Sequence, residues 1–216
     1  DNDVLGLLVT PTSLSVPEGG TNTFTVQLTA QPTNTVSVTV ARTAGDTDLS
    51  VTSGASLSFN AGDWNVPKTV TLSAAEDLDA VNGSATFTVS ATGLTSVPVT
   101  ATEADNDSQG LVLSTSAVSV PEGGNNTFTV QLASQPTNTV SVSVARTGGD
   151  TDLSVTGGTN LSFNSGDWNV PKTVTLAAAE DLDAINGTAT ITVSSPGLTS
   201  QNVTATEADN DTQGLI

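Results

Sequence analysis

The chain has 216 residues, with 22 acidic against 4 basic side chains and a net charge of −18. That balance weighs against nucleic-acid binding and against an anionic membrane surface, since both need basic patches. Neither histidine nor cysteine occurs, so disulfides, thiol chemistry and histidine-based triads are excluded, and no run is long and apolar enough for membrane insertion.

In chain order, Asp1-Asn2-Asp3 is the first of three identical tracts, followed by Asp105-Asn106-Asp107 and Asp209-Asn210-Asp211. Placing Pro17 on Pro121 reveals a period of 104 residues in which about three quarters of the positions coincide, the mark of a duplicated structural unit. The predicted domains are therefore 4–107 and 108–211, with 1–3 as the tail of a preceding repeat and 212–216 as the head of a following one. In the first repeat, Leu14 and Val16 lead into the turn VPEGG, and Phe24, Val26 and Leu28 alternate with Thr and Gln. Val36, Val38 and Val40 make the next strand, then Leu49 with Val51, Leu57 with Phe59, and Val70 with Leu72. The loop EDLDAVNG precedes Ala85, Phe87 and Val89, and a last strand around Val99 and Ala101 ends in TEADND. Seven or eight short strands of period two, with turns every 8–12 residues, predict an all-β chain of two tandem immunoglobulin-like Greek-key β-sandwiches.

The acids avoid these strands. Counting the strands alternately up and down puts Glu18, Asp46, Asp48, Glu76, Asp77, Asp79, Glu103, Asp105 and Asp107 at one end, with Glu103 read as following the last strand. Only Asp63 falls at the other end. Crowded carboxylates repel unless a cation lies between them, and hard oxygen donors without nitrogen or sulfur indicate Ca²⁺. The bland alternative is a solvated, repelling surface.

VPEGG, GDTD, a D-x-D loop after LSFNAGDW and VPKTVTL, and a closing acidic triplet resemble the Calx-β domain, a sandwich of exchanger regulatory regions and of bacterial surface and secreted proteins. The resemblance covers nearly all of each repeat. It implies Ca²⁺ held by Glu18, Asp48, Asp77, Asp79, Asp105 and Asp107, and in the second repeat by Glu122, Asp152, Asp181, Asp183, Asp209 and Asp211. The loop EDLDAVNG is poorer in acids than the family's often is, which suggests one or two ions per repeat.

Other motifs read as structural. Gly19-Gly20 and Gly123-Gly124 supply positive φ to tight turns. Trp64 and Trp168, each in a GDWN turn, fold over the sandwich edge; the alternative is a carbohydrate-binding platform, which an aromatic content of 3% supports poorly. Two carboxylates could suggest a glycosidase, but an identical cleft in both repeats without aromatic subsites is improbable. The expected function is a non-catalytic, Ca²⁺-binding, monomeric spacer or adhesion segment of a larger secreted or cell-surface protein. Its partners would be neighbouring domains of the same polypeptide, and a polysaccharide or cell-surface partner.

Overall fold

A computed structural model describes residues 3–212; Asp1 and Asn2 of the first acidic tract, and residues 213–216 of the terminal segment, lie outside the described residues. The chain divides into two compact units, Asp1–Asp77 with Val81–Asn106, and Leu78–Ala80 with Asp107–Ile216.

Each unit is a two-sheet sandwich of short strands. The first contains β1 (Leu7–Thr10), β2 (Ser13–Pro17), β3 (Thr21–Leu28), β4 (Val36–Gly45), β5 (Leu49–Ser53), β6 (Ser56–Phe59), β7 (Lys68–Ala74), β8 (Ser84–Ala91) and β9 (Val97–Ala104). One sheet has the order β1-β3-β7-β5 and the other β2-β9-β8-β4-β6. The second unit repeats this with β10 (Leu111–Leu113), β11 (Ala117–Pro121), β12 (Asn125–Leu132), β13 (Val140–Gly149), β14 (Leu153–Gly157), β15 (Asn160–Phe163), β16 (Lys172–Ala178), β17 (Thr188–Ser194) and β18 (Gln201–Ala208). Its sheets are β10-β12-β16-β14 and β11-β18-β17-β13-β15. Both units are immunoglobulin-like sandwiches, as the alternation predicted.

Among the described residues each unit has nine strands where seven or eight were expected, because the first segment splits between the two sheets. In the first unit Pro11 has no N–H to give a ladder, so β1 pairs antiparallel with β3 while β2 joins β9 in parallel. In the second unit the break at Ser114–Ser116 is held by a local turn, with Ala117 N–H donating to Thr115 Oγ1 at 3.1 Å.

The inward positions of the alternating strands make the core. In the second unit Phe128, Val130 and Leu132 of β12 meet Val174 and Leu176 of β16, with Ile191, Val193 and Val203 from the facing sheet, all nearly or fully buried. Removing the ring of Phe128, which is 2% exposed, should cost about 3–5 kcal/mol through lost transfer energy and the cavity left behind. A urea unfolding series on Phe128→Ala checks this through the midpoint at constant slope.

Outward positions carry mostly hydroxyls and no acids. Thr43 and Thr88 bond through their Oγ1 atoms at 2.9 Å, Thr147 and Thr192 at 2.7 Å, and Thr39 and Ser90 at 3.0 Å. Cross-strand pairs of this kind stabilise a sheet face without charge.

Candidate metal centre

In the second unit four segments meet at one end of the sandwich: the turn after β11, the β13–β14 and β16–β17 connections, and the chain after β18. Main-chain hydrogen bonds hold them there. Glu122 N–H donates to Ala208 O at 3.1 Å, Asp150 N–H to Thr188 O at 2.8 Å, Ala179 N–H to Asp152 O at 3.1 Å, and Glu207 N–H to Gly187 O at 2.9 Å.

Glu122 is the pivot. Its side chain is 7% exposed; Oε1 accepts from Asp181 N–H at 2.7 Å and Oε2 from Asn210 N–H at 3.0 Å. These two main-chain donors hold its carboxyl below the usual glutamate range, so the group stays ionised. One carboxylate oxygen from each of Glu122, Asp181 and Asp211 lies within 4.8 Å of the other two. Asp183 N–H donates to Asp181 Oδ1 at 2.8 Å, Asp211 N–H to Asp209 Oδ1 at 2.6 Å, and Asp209 N–H to Asn186 Oδ1 at 2.9 Å. Partial desolvation, followed by repulsion from Glu122, Asp209, Asp181 and Asp183, pushes the Asp211 carboxyl up. Of the sequence-predicted residues, then, Glu122, Asp181 and Asp211 converge, with Asp183 and Asp209 hydrogen-bonded beside them. Asp152 joins through Asp150, whose Oδ1 accepts its N–H at 3.0 Å.

The first unit shows the same local chemistry. Glu18, 7% exposed, accepts from Asp77 N–H at 2.7 Å and Asn106 N–H at 3.0 Å, and its carboxyl is lowered by these bonds. Asp105 N–H donates to Asn82 Oδ1 at 2.8 Å, and Asp48 N–H to Asp46 Oδ1 at 3.0 Å. Burial, then the charges of Asp46 and Asp77, raise the Asp48 carboxyl. Asp79 and Asp107 group with the second unit.

Of the two glycines in each VPEGG turn only the first has positive φ, +62° at Gly19 and +64° at Gly123, while Gly20 and Gly124 do not. A Cβ on Gly123 would stand 2.0 Å from Glu180 Oε1, so the glycine also leaves room for a carboxylate to cross the turn.

Glu103 and Glu207 correct the sequence reading. They do not follow the last strand but lie in β9 and β18, at inward positions next in line after Val99 and Ala101, and after Val203 and Ala205. Each is 2% exposed. Burial pushes both carboxyls up, the amides of Gly83 and Gly187 offset part of this, and neighbouring carboxylates add to it. The available signal was the alternation itself, V-x-A-x-E, read one residue further. Asp46 and Asp150, which also stand outside the predicted ligand sets, are half-buried at the same end.

The opposite end is neutralised. Lys68 Nζ lies 2.7 Å from Asp63 Oδ2 and 4.6 Å from the Phe59 ring centroid, and Lys172 repeats this with Asp167 at 2.6 Å and Phe163 at 4.6 Å. The lysine hydrogen bond, then the Asn60 or Asn164 N–H, hold the Asp63 and Asp167 carboxyls below the usual range. A depressed native pKa means stability that is present above the unfolded value and lost as pH falls through the native one. The substitutions Asp63→Asn and Asp167→Asn should therefore lower the melting midpoint at pH 7 and change little at a pH where the native aspartates are already protonated. Melting curves at both pH values check the sign. Trp64 and Trp168 pack half-buried against their cores, and their carbonyls accept from Leu28 and Leu132 N–H, each at 2.9 Å.

A cluster of three carboxylates at this spacing suits a hard cation with oxygen ligands at roughly 2.3–2.6 Å. It contains no nitrogen or sulfur donor for softer metals.

No family model matches the chain, and no curated protein sequence matches it. Among solved structures, it is similar to surface layer protein SbsC, domains 1–6, at 14% identity and TM-score 0.41, covering 98% of this chain and 41% of that one. The S-layer protein rSbsC(31-844) gives 19% identity and TM-score 0.40, covering 95% of this chain and 28% of that one. Protocadherin gamma B2 extracellular cadherin domains 3–6 give 17% and 0.39, covering 97% and 53%. The chain thus spans well under two thirds of the length of each of these three structures.

Proposed function

We propose that the chain is a non-catalytic, Ca²⁺-binding tandem β-sandwich of the Calx-β type, serving as a spacer or adhesion segment within a larger secreted or cell-surface protein. The observation that carries this is the convergence of Glu122, Asp181 and Asp211 within 4.8 Å. The Glu122 pivot and acidic closing tract supply what a hard cation needs and leave like charges crowded without one.

The proposed action is positional. An ion shared by these three residues ties the chain after β18 to the turn after β11 and to the β16–β17 connection, and so fixes the direction in which the chain leaves the sandwich. Partners are then neighbouring domains of the same polypeptide, with a polysaccharide or cell-surface molecule as the target of the whole.

Calcium binding followed by isothermal titration tests the reading. Extracellular modules bind at roughly 10⁻⁴–10⁻³ M, and the substitutions Asp181→Ala with Asp183→Ala should remove the binding that Glu122, Asp181 and Asp211 share. Absence of binding heat at millimolar Ca²⁺, or an unchanged titration in the double variant, would overturn it.

A further inference from the structure

The most unusual group in the molecule is a charged residue in the core. Glu207 is 2% exposed, and although the Gly187 amide lies near enough to offset part of its burial, neither of its carboxylate oxygens has a partner at hydrogen-bond distance and angle. A carboxylate removed from water without partners is among the costliest features a fold can carry. It is no accident of a loop, because the β18 alternation that buries Val203 and Ala205 delivers it inward.

What it faces is a second carboxylate across a glycine. A Cβ built on Gly187 would stand 1.7 Å from Asp150 Oδ2 and 3.1 Å from Glu207 Oε2. The two oxygens therefore lie within about 5 Å of each other, a separation that ligands of one Ca²⁺ span. Gly187 is the residue type that leaves this space open. The charges acting on Glu207 are, in order, Asp181, Asp150 and Glu122; Asp181 and Glu122 are members of the outer cluster. The first unit has the same arrangement: Glu103 is 2% exposed with both oxygens unpartnered. A Cβ on Gly83 would stand 1.7 Å from Asp46 Oδ2 and 3.0 Å from Glu103 Oε2.

Resting on the calcium reading above, we propose that each unit holds a second, inner cation position, made by Asp150 and Glu207 in the second unit and by Asp46 and Glu103 in the first. The ligand is a hard divalent cation of the Ca²⁺ class. It lies at the end of the hydrophobic core, beneath the outer position that Glu122, Asp181 and Asp211 form in the second unit. An ion there gives the orphaned glutamate oxygens their partner. The competing occupant is a proton, with Glu207 and Glu103 as neutral acids.

Native mass spectrometry and equilibrium dialysis of the full chain with Ca²⁺ decide between them. The expected result is that Glu103→Gln with Glu207→Gln binds one ion fewer per unit than the wild type, with the outer ion of the second unit retained. Glutamine keeps the shape, and with no carboxylate to bury this variant should melt no lower than wild type in EDTA. If it does not fold, Asp46→Asn with Asp150→Asn serves instead, because asparagine Oδ1 still accepts the N–H of Asp48 and Asp152. One ion per unit in the wild type, unchanged in these variants, overturns the inner position and leaves the outer one standing. No ion bound by the wild type overturns both.

Discussion

Melting of the chain in EDTA should fall about 10–20 °C below melting in Ca²⁺ held near a hundredfold excess over its dissociation constant. One site at that excess contributes about 2.7 kcal/mol, and each kcal/mol moves the midpoint of a domain of this size by about 4–8 °C. The effect is large because the ion removes a repulsion as well as adding ligand bonds. Without it Glu122, held ionised by Asp181 and Asn210 N–H, faces the carboxylates of Asp181 and Asp211. Mg²⁺ should do little, since it demands near-octahedral ligands and sheds water reluctantly. Sodium chloride at matched ionic strength controls for screening, which relieves exposed repulsion but holds no ligand in place. Scanning calorimetry in the four buffers gives the answer. Equal midpoints in EDTA and Ca²⁺ would reduce the acidic end to plain surface charge.

Gly149→Ala should destabilise the second unit by about 3 kcal/mol or more, through a backbone conflict that no side-chain repacking relieves. Gly149 closes β13 at φ +84°, a conformation that by itself costs an alanine about 1 kcal/mol. Its Cβ would also stand 2.2 Å from Thr188 O and 2.6 Å from Ala189 Cα. Both are main-chain atoms of β17, so β13 and β17 must part where they pair. The adjacent Asp150 N–H to Thr188 O bond would go with them, and the Asp150 carboxylate would move. Gly197→Ala is the matched control: φ is +81°, but nothing lies within 4 Å of its Cβ. It should cost only the strain, about 1 kcal/mol. Denaturant midpoints of the two variants would separate strain from collision, and similar losses in both would refute the collision.

Much of this architecture was legible in the residues. Phe128, Val130 and Leu132 alternate with polar neighbours because one face of β12 is buried, and the same logic marks most core strands. The acidic end was legible because turns and strands alternate in direction, so the loops of Glu122, Asp152 and Asp181 return to one place. Two features were not. The first segment splits into β1 and β2, a choice between two sheets that local propensity does not encode. Glu207 hides within a strand because a buried, unpaired glutamate runs against the strongest burial preference. The eye assigns T-E-A-D to the acidic tail, although the inward register passes through Val203 and Ala205 directly to it.

The parallel pairing of β2 with β9 has a mechanical consequence. In a parallel pair the start of one strand and the finish of the other lie at opposite ends of the ladder. A pull on the chain before Ser13 and after Ala104 therefore drives the two strands past each other lengthwise, loading their rungs in shear. The five rungs from Ser13–Thr100 to Pro17–Ala104 must yield together and not one after another as in unzipping. The clamp continues beyond the strands: Glu18 N–H bonds Ala104 O at 3.0 Å and Glu18 Oε2 accepts Asn106 N–H at 3.0 Å. Resistance to stretching is a matter of unfolding rate more than of equilibrium stability. The sandwich thus carries tension through the β2 edge of its five-stranded sheet, with the acidic end serving as the latch at one extremity of the ladder.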